Sequence, residues 1–180
     1  GFDKIKRIQP YKEFERSLYN QFPTINVTDY ETIHDLNIAE KKVAVAALNT
    51  SWRCYDSATD KGNLILGENQ IINQINVIEN ADIKIAVMHH SYDELKDFER
   101  LNIKNLLNKH FNLVLTGHVH SEDSLAFMDT FGTTIYSTAS SNTVHNSSSD
   151  SIFHNGYSVI DFSDNKVTVS FRKYSTRKRE

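Results

Sequence analysis

Leu113-Val-Leu-Thr-Gly-His-Val-His120 joins a short, unbroken apolar run to a Gly-His-x-His sequence. An apolar run without alternation is the pattern of a strand covered on both faces. Two earlier stretches have the same form, Val43-Ala-Val-Ala-Ala-Leu48 and Ile83-Lys-Ile-Ala-Val-Met88. Between those two, Ile71, Ile72, Ile75 and Ile78 share one helical face, which predicts a helix over 68–79. After the second, Ser91 followed three residues later by Glu94 forms a capping box. A helix should begin there, and its stripe of Ile103, Leu106 and Leu107 carries it to about His110. Strand, helix, strand, helix, strand is the rhythm of an α/β domain built on parallel pairing.

The pattern changes on either side of this centre. Toward the carboxyl end, residues 124–128, 134–138, 156–162 and 167–171 read as strands with no helices between them, and Asp164-Asn165 suits a hairpin turn. The Ser- and Asn-rich stretch 140–151 reads as an exposed loop. Toward the amino end, Tyr11, Phe14 and Leu18 fall at helical spacing, so 10–20 should be a helix with Pro10 near its start. Residues 21–42 are polar and broken up, as in loops and short irregular pieces, and 49–62 read as a long loop. No internal repeat is present.

Composition narrows the possibilities. The 180 residues carry a formal charge of −3, with 39% hydrophobic and 24% charged side chains, which fits one ordinary domain spanning 1–180. Cys54 is the single cysteine, so neither a disulfide framework nor a cysteine zinc site is available. The apolar runs fall far short of the roughly 20 residues needed to cross a bilayer, and no membrane partner is expected. No secretory signal opens the chain, so cytoplasm is the default compartment. The last nine residues hold five basic side chains and one acid, leaving the rest at −7. That tail reads as a solvated end or a lead into a further domain. Without a basic stripe across the body, nucleic acid is expected only as a substrate.

Eight histidines are present, and position separates them. His34, His110, His145 and His154 lie on predicted helix ends or loops with no partner pattern. His89, His118 and His120 instead follow directly on the carboxyl ends of apolar strands, the sheet edge where α/β folds bind ligands. Two residues apart in an extended segment, His118 and His120 would leave on one face, and Gly117 permits a sharp bend before them. Such a face can offer imidazoles to two ions about 3.5–4 Å apart, and neutral imidazole suits Zn and Fe better than Mg or Ca. The plainer alternative is a set of strand-end histidines hydrogen-bonded to loops.

These residues resemble the calcineurin-like metallophosphoesterases. Leu113-Val-Leu-Thr-Gly-His-Val-His120 is similar to that family's last signature, Gly-His-x-His after a hydrophobic strand. Ile85-Ala-Val-Met-His-His90 is similar to the preceding one, a strand ending in His-x-Pro, with Ser91 here in place of Pro. Gly62-Asn-Leu-Ile-Leu-Gly-Glu-Asn-Gln70 is similar to the segment leading into the intervening helix. The resemblance covers roughly residues 43–171. It implies two packed β-sheets with helices outside, a four-layer α/β/β/α sandwich whose carboxyl-terminal portion is rich in strands. It further implies a dinuclear site for two divalent or trivalent ions (Mn, Fe or Zn), with His89 and His118 on one ion and His120 on the other. His90 would neighbour the site as a substrate contact or make a structural hydrogen bond. Trp52 and Arg53 could face substrate, since Arg pairs phosphate bidentately, although a solvated loop Arg is an equal reading.

The family's earlier signatures, Asp-x-His, Gly-Asp-x-x-Asp and Gly-Asn-His, do not occur here. Three neutral imidazoles cancel none of the charge of two cations, and Asp93, Glu94, Glu122 and Asp123 are placed by no signature. Because the chain opens on Gly1, it is expected to be the carboxyl-terminal half of a longer enzyme. The half alone should hold a metal pair poorly, be inactive, and pair with its other half or self-associate. The function expected is hydrolysis of a phosphate mono- or diester. The alternatives are a catalytically silent scaffold half and a mononuclear three-His hydrolase.

Overall fold

The computed structural model describes residues 6–56, 58–118, 123–130, 132–139, 156–163 and 166–173. Helix α1 (Gln9–Tyr19) precedes strands β1 (Ile25–Val27), β2 (Thr32–Ile38) and β3 (Lys41–Ala47). Two short helices, α2 (Asn69–Ile72) and α3 (Ile75–Glu79), lead to β4 (Ile83–Val87), and α4 (Asp97–His110) leads to β5 (Leu113–Thr116). Strands β6 (Asp123–Asp129), β7 (Gly132–Thr138), β8 (Gly156–Ser163) and β9 (Lys166–Lys173) follow. Seven strands form one mixed sheet in the order β1-β2-β3-β4-β5-β7-β6, and β8 and β9 form a separate antiparallel pair. Strands β3, β4, β5 and β7 pair in parallel, and β1, β2 and β6 join the sheet through antiparallel pairs at its edges.

The core lies between this sheet and helices α2 to α4. Ala46, Ala86 and Val114 are fully enclosed on the helix side, in one cluster with Ile71, Ile78, Ile103 and Leu107, and Ala44 is fully buried as well. Small strand side chains let the helices approach closely, and burying each Leu or Ile contributes roughly 1.5–3 kcal/mol. Helix α4 is further tied down by Glu99, whose carboxylate accepts from the backbone N–H groups of Leu66 (2.7 Å) and Gly67 (3.0 Å). Its acidic first turn and basic last turn complement the helix dipole.

The opposite face is covered only in part. Val43 and Leu113 are buried there, but Val45, Ala47, Ile85 and Leu115 are half-buried and Val87 is 37% exposed. Full coverage of these strands on both faces, expected from the unbroken apolar runs, is therefore not observed.

Other expectations need correcting. Residues 21–42 are not irregular: β1 and β2 add an antiparallel meander to β3. The β2–β3 turn is carried by Ala39 (φ +48) and Glu40 (φ +64), a two-residue loop without the Gly or Asn that usually marks one. The single helix expected over 68–79 is two short helices, with the break at 73–74. The capping box does not start the long helix. Ser91 Oγ accepts from Asp93 N (3.1 Å) and caps only a 3-10 turn at Tyr92–Glu94, and α4 begins at Asp97.

Helix α1 forms where expected, but its apolar stripe faces outward. Tyr11, Phe14 and Leu18 are exposed while Lys12 and Glu15 are buried. Lys12 Nζ donates to Glu15 Oε2 (2.6 Å) and Thr32 Oγ1 (3.2 Å), and the Thr32 hydroxyl donates to Glu15 Oε1 (2.5 Å). This paired polar network ties α1 to β2, and the Tyr19 ring packs edge-on against His34. The hairpin placed at Asp164-Asn165 lies outside the described residues, although Ser163 and Lys166 pair on either side of it. Among the described residues no helix is long and apolar enough to cross a membrane.

Candidate metal centre

Parallel pairing aligns the carboxyl ends of β3, β4 and β5, and each chain continues the ladder one step into its loop. Leu48 N donates to Val87 O (2.8 Å), Met88 N to Leu115 O (2.9 Å), and Gly117 N to His89 O (3.1 Å). His89 and His118 are thereby placed side by side. His118 Nδ1 lies 3.2 Å from His89 Nε2, with ring centroids 5.1 Å apart. His90 joins them, its ring 4.6 Å from that of His89 and 4.5 Å from that of His118. One ligand atom from each of the three lies within 4.8 Å of the others. His120 falls outside the described residues, as do His145 and His154.

The bend before this cluster falls on His118 rather than on Gly117. His118 has φ +69, a conformation that costs a non-glycine residue of order 1 kcal/mol or more and that clusters at functional sites. The same-face argument for His118 and His120 assumed extended backbone, which His118 does not have. Its convergence on His89 comes from strand order instead. A Cβ on Gly117 would sit 3.7 Å from His89 Nδ1, an ordinary van der Waals contact.

His90 is buried at 3% exposure and is held by Thr50, the residue three beyond the end of β3 as His90 is three beyond the end of β4. Thr50 Oγ1 accepts from the His90 backbone N–H (3.2 Å) and lies 2.9 Å from His90 Nδ1. Burial, then the neighbouring His89 and His118, push the His90 imidazolium down to about 4, so the ring is neutral at neutral pH. The loop bearing Thr50 is fixed by Gln70 of α2. Its side chain accepts from Asn49 N (2.8 Å) and donates to the carbonyls of Asn49 (3.0 Å) and Leu66 (2.6 Å). Neither Thr50 nor Gln70 was picked out as functional from the sequence. The equal offset of Thr50 and His90 from paired strand ends was the available signal for the first.

Glu94 contributes the nearby carboxylate, with Oε2 3.8 Å from His118 Nε2. Three imidazole rings with a carboxylate close by form a group that could hold a metal ion. Among the described residues this is the one such group. It fits a single ion, and ligands for a second are not found among those residues. Beside His89 an open cavity of about 740 Å³ runs along the partly covered sheet face to α1, bounded by Ala47, Val87, Leu115, Gly117, Tyr11 and Arg7. Arg53 does not line it. The Arg53 side chain is exposed, with its guanidinium 5.5 Å from the centre of the Trp52 ring, and Trp52 in turn packs edge-on against Tyr30. His34 and His110 stand apart. His110 pairs through Nδ1 with Glu79 (2.6 Å), and the His34 ring packs against Tyr19.

No family model matches the sequence. No curated protein matches it either. Among solved structures, a hypothetical protein from Thermus thermophilus is similar, with a TM-score of 0.50 and 12% identity over 79% of this chain. The chain spans 62% of that protein's length, and at this identity the likeness concerns the fold alone.

Proposed function

We propose that this chain is the histidine-bearing, carboxyl-terminal half of a metal-dependent phosphoesterase of the calcineurin-like kind. The observation that supports the reading is the meeting of His89 and His118, 3.2 Å apart, from the ends of two separate parallel strands. In this reading the two rings hold one ion, and His120 serves a second. The ions are Mn, Fe or Zn, and when bound they supply Lewis acidity toward the phosphoryl oxygens of a mono- or diester. The residues' own work is to orient and to exclude. Gln70 fixes the Thr50 loop, Thr50 holds His90, and the β4–β5 ladder sets the spacing of His89 and His118. Glu94 provides negative charge beside the His118 imidazole.

The open sheet face around Val87 is where we place the remainder of a four-layer sandwich, supplied by an amino-terminal half or by self-association. That partner would also bring the carboxylates that three neutral imidazoles require around cations. Nucleic acid enters only as a phosphodiester substrate. The cytoplasm fits a chain with a lone, unpaired cysteine. Charge favours one second reading, a catalytically silent interaction half, because the imidazoles cancel no cationic charge.

The deciding assay is turnover of p-nitrophenyl phosphate by this chain and by the full gene product that contains it, after loading with Mn²⁺, Zn²⁺ or Fe²⁺. Turnover in the full product that is lost in His118→Ala is the expected result. No turnover in the full product under any loading would favour the silent half.

A further inference from the structure

We infer that His90 is a hydrogen-bond donor to the bound oxyanion, not a third metal ligand, and that Thr50 is the positioning residue that makes it so. Counting protons leads to this assignment. The Thr50 side chain is buried, with the residue 1% exposed, and its Oγ1 already accepts the His90 backbone N–H at 3.2 Å. A hydroxyl has one proton to donate, and a buried donor left without an acceptor costs about 1–3 kcal/mol. Among the described residues its acceptor within hydrogen-bond distance is His90 Nδ1, 2.9 Å away. The Thr50 proton therefore goes to Nδ1, and the single proton of the neutral imidazole sits on Nε2. Both ring nitrogens are then committed, one accepting and one bearing hydrogen, and neither has a lone pair for an ion.

The arrangement is imposed from outside the cluster. Gln70 clamps both the N–H and the carbonyl of Asn49, so the position of Thr50 is set by α2 and not by His90 itself. His90 thus presents an N–H beside two imidazoles that can bind an ion. Such a donor matches an oxygen of a tetrahedral anion held by that ion, in the manner of an oxyanion hole. The identity of the acceptor as a phosphoryl oxygen rests on the phosphoesterase reading, whereas the tautomer does not. The assignment also removes a three-His site made of His89, His90 and His118, since His90 has no free lone pair.

Long-range ¹H–¹⁵N correlation on the metal-free chain with ¹⁵N-labelled histidine reads the tautomer directly. The expected spectrum shows His90 as a single Nε2–H form, kept in Thr50→Ser and lost as a single form in Thr50→Val. An Nδ1–H form in the wild-type chain, or a Thr50→Val spectrum identical to wild type, would overturn the inference. Titration with Co²⁺ alone, followed by its visible absorption, supplies the second readout. His90→Gln, which keeps a side-chain N–H, should stay within the roughly tenfold loss typical of an outer-shell partner. His89→Gln should abolish binding. An equal loss in both variants would overturn the donor role. If neither the wild-type chain nor the full gene product that contains it binds Co²⁺, the phosphoesterase reading fails, and the tautomer stands or falls on the spectrum.

Discussion

The two faces of the seven-stranded sheet are built from the same strands but finished differently. On one, Ala46, Ala86 and Val114 are sealed by Ile71, Ile78, Ile103 and Leu107. On the other, the alternate residues of the same strands, Val45, Ala47, Ile85 and Leu115, are half-buried and Val87 is exposed. Side chains alternate across a strand, so every second residue answers to a different environment. The sealed face carries the stability. The open face flanks the carboxyl-end histidines and leaves a cavity beside His89.

If that division is right, equal truncations on the two faces have unequal costs. Leu107→Ala removes a fully buried side chain and should cost about 2–5 kcal/mol in urea unfolding. Val87→Ala should cost less than about 1 kcal/mol. Similar losses from both would mean that the open face is covered in solution. Sedimentation velocity then asks by what. Concentration-dependent association that disappears in Val87→Asp is expected if copies of this chain cover the face, and a monomer at all concentrations would discount self-association.

The third contrast concerns pH. An unfolded histidine titrates near 6.5, while burial holds folded His90 down to about 4. As pH falls, the unfolded chain takes up this proton first. Stability of the metal-free protein is therefore full above about pH 6.5 and declines as pH falls from there to 4. Burial lowers His34 as well and adds in the same direction. His90→Gln should flatten this part of the profile, as measured by urea unfolding at each pH. The smallest effect belongs to the solvated rim of α1. Breaking the exposed Arg16–Asp29 pair (2.6 Å) with Arg16→Ala should change stability by no more than about 1 kcal/mol.

Strands β3 to β9 were legible because their apolar runs are local and strong, and the parallel centre followed from the helices between them. Strands β1 and β2 were not, since β2 mixes His34, Asp35 and Asn37 among its apolar residues and takes its shape from pairing with β3. The Ala39-Glu40 turn gave no warning, because its left-handed backbone is carried by residues that rarely adopt it. The orientation of α1 was hidden for a related reason. Lys12 becomes a buried residue only when Glu15, Thr32 and the carbonyls of Tyr30 and Glu31 are already assembled around it. Within the site, His89 and His118 could be read as strand-end residues. The contribution of Thr50 depends on a register between β3 and β4 that no single segment contains.

The most direct test is X-ray absorption at the edge of Zn²⁺ or Co²⁺ bound to this chain, compared with His89→Ala and His118→Ala. At least two imidazole nitrogens at about 2.0–2.1 Å, with binding lost in either variant, is the expected result. A bound ion without imidazole scattering, or one retained in both variants, would contradict a metal centre formed by His89 and His118.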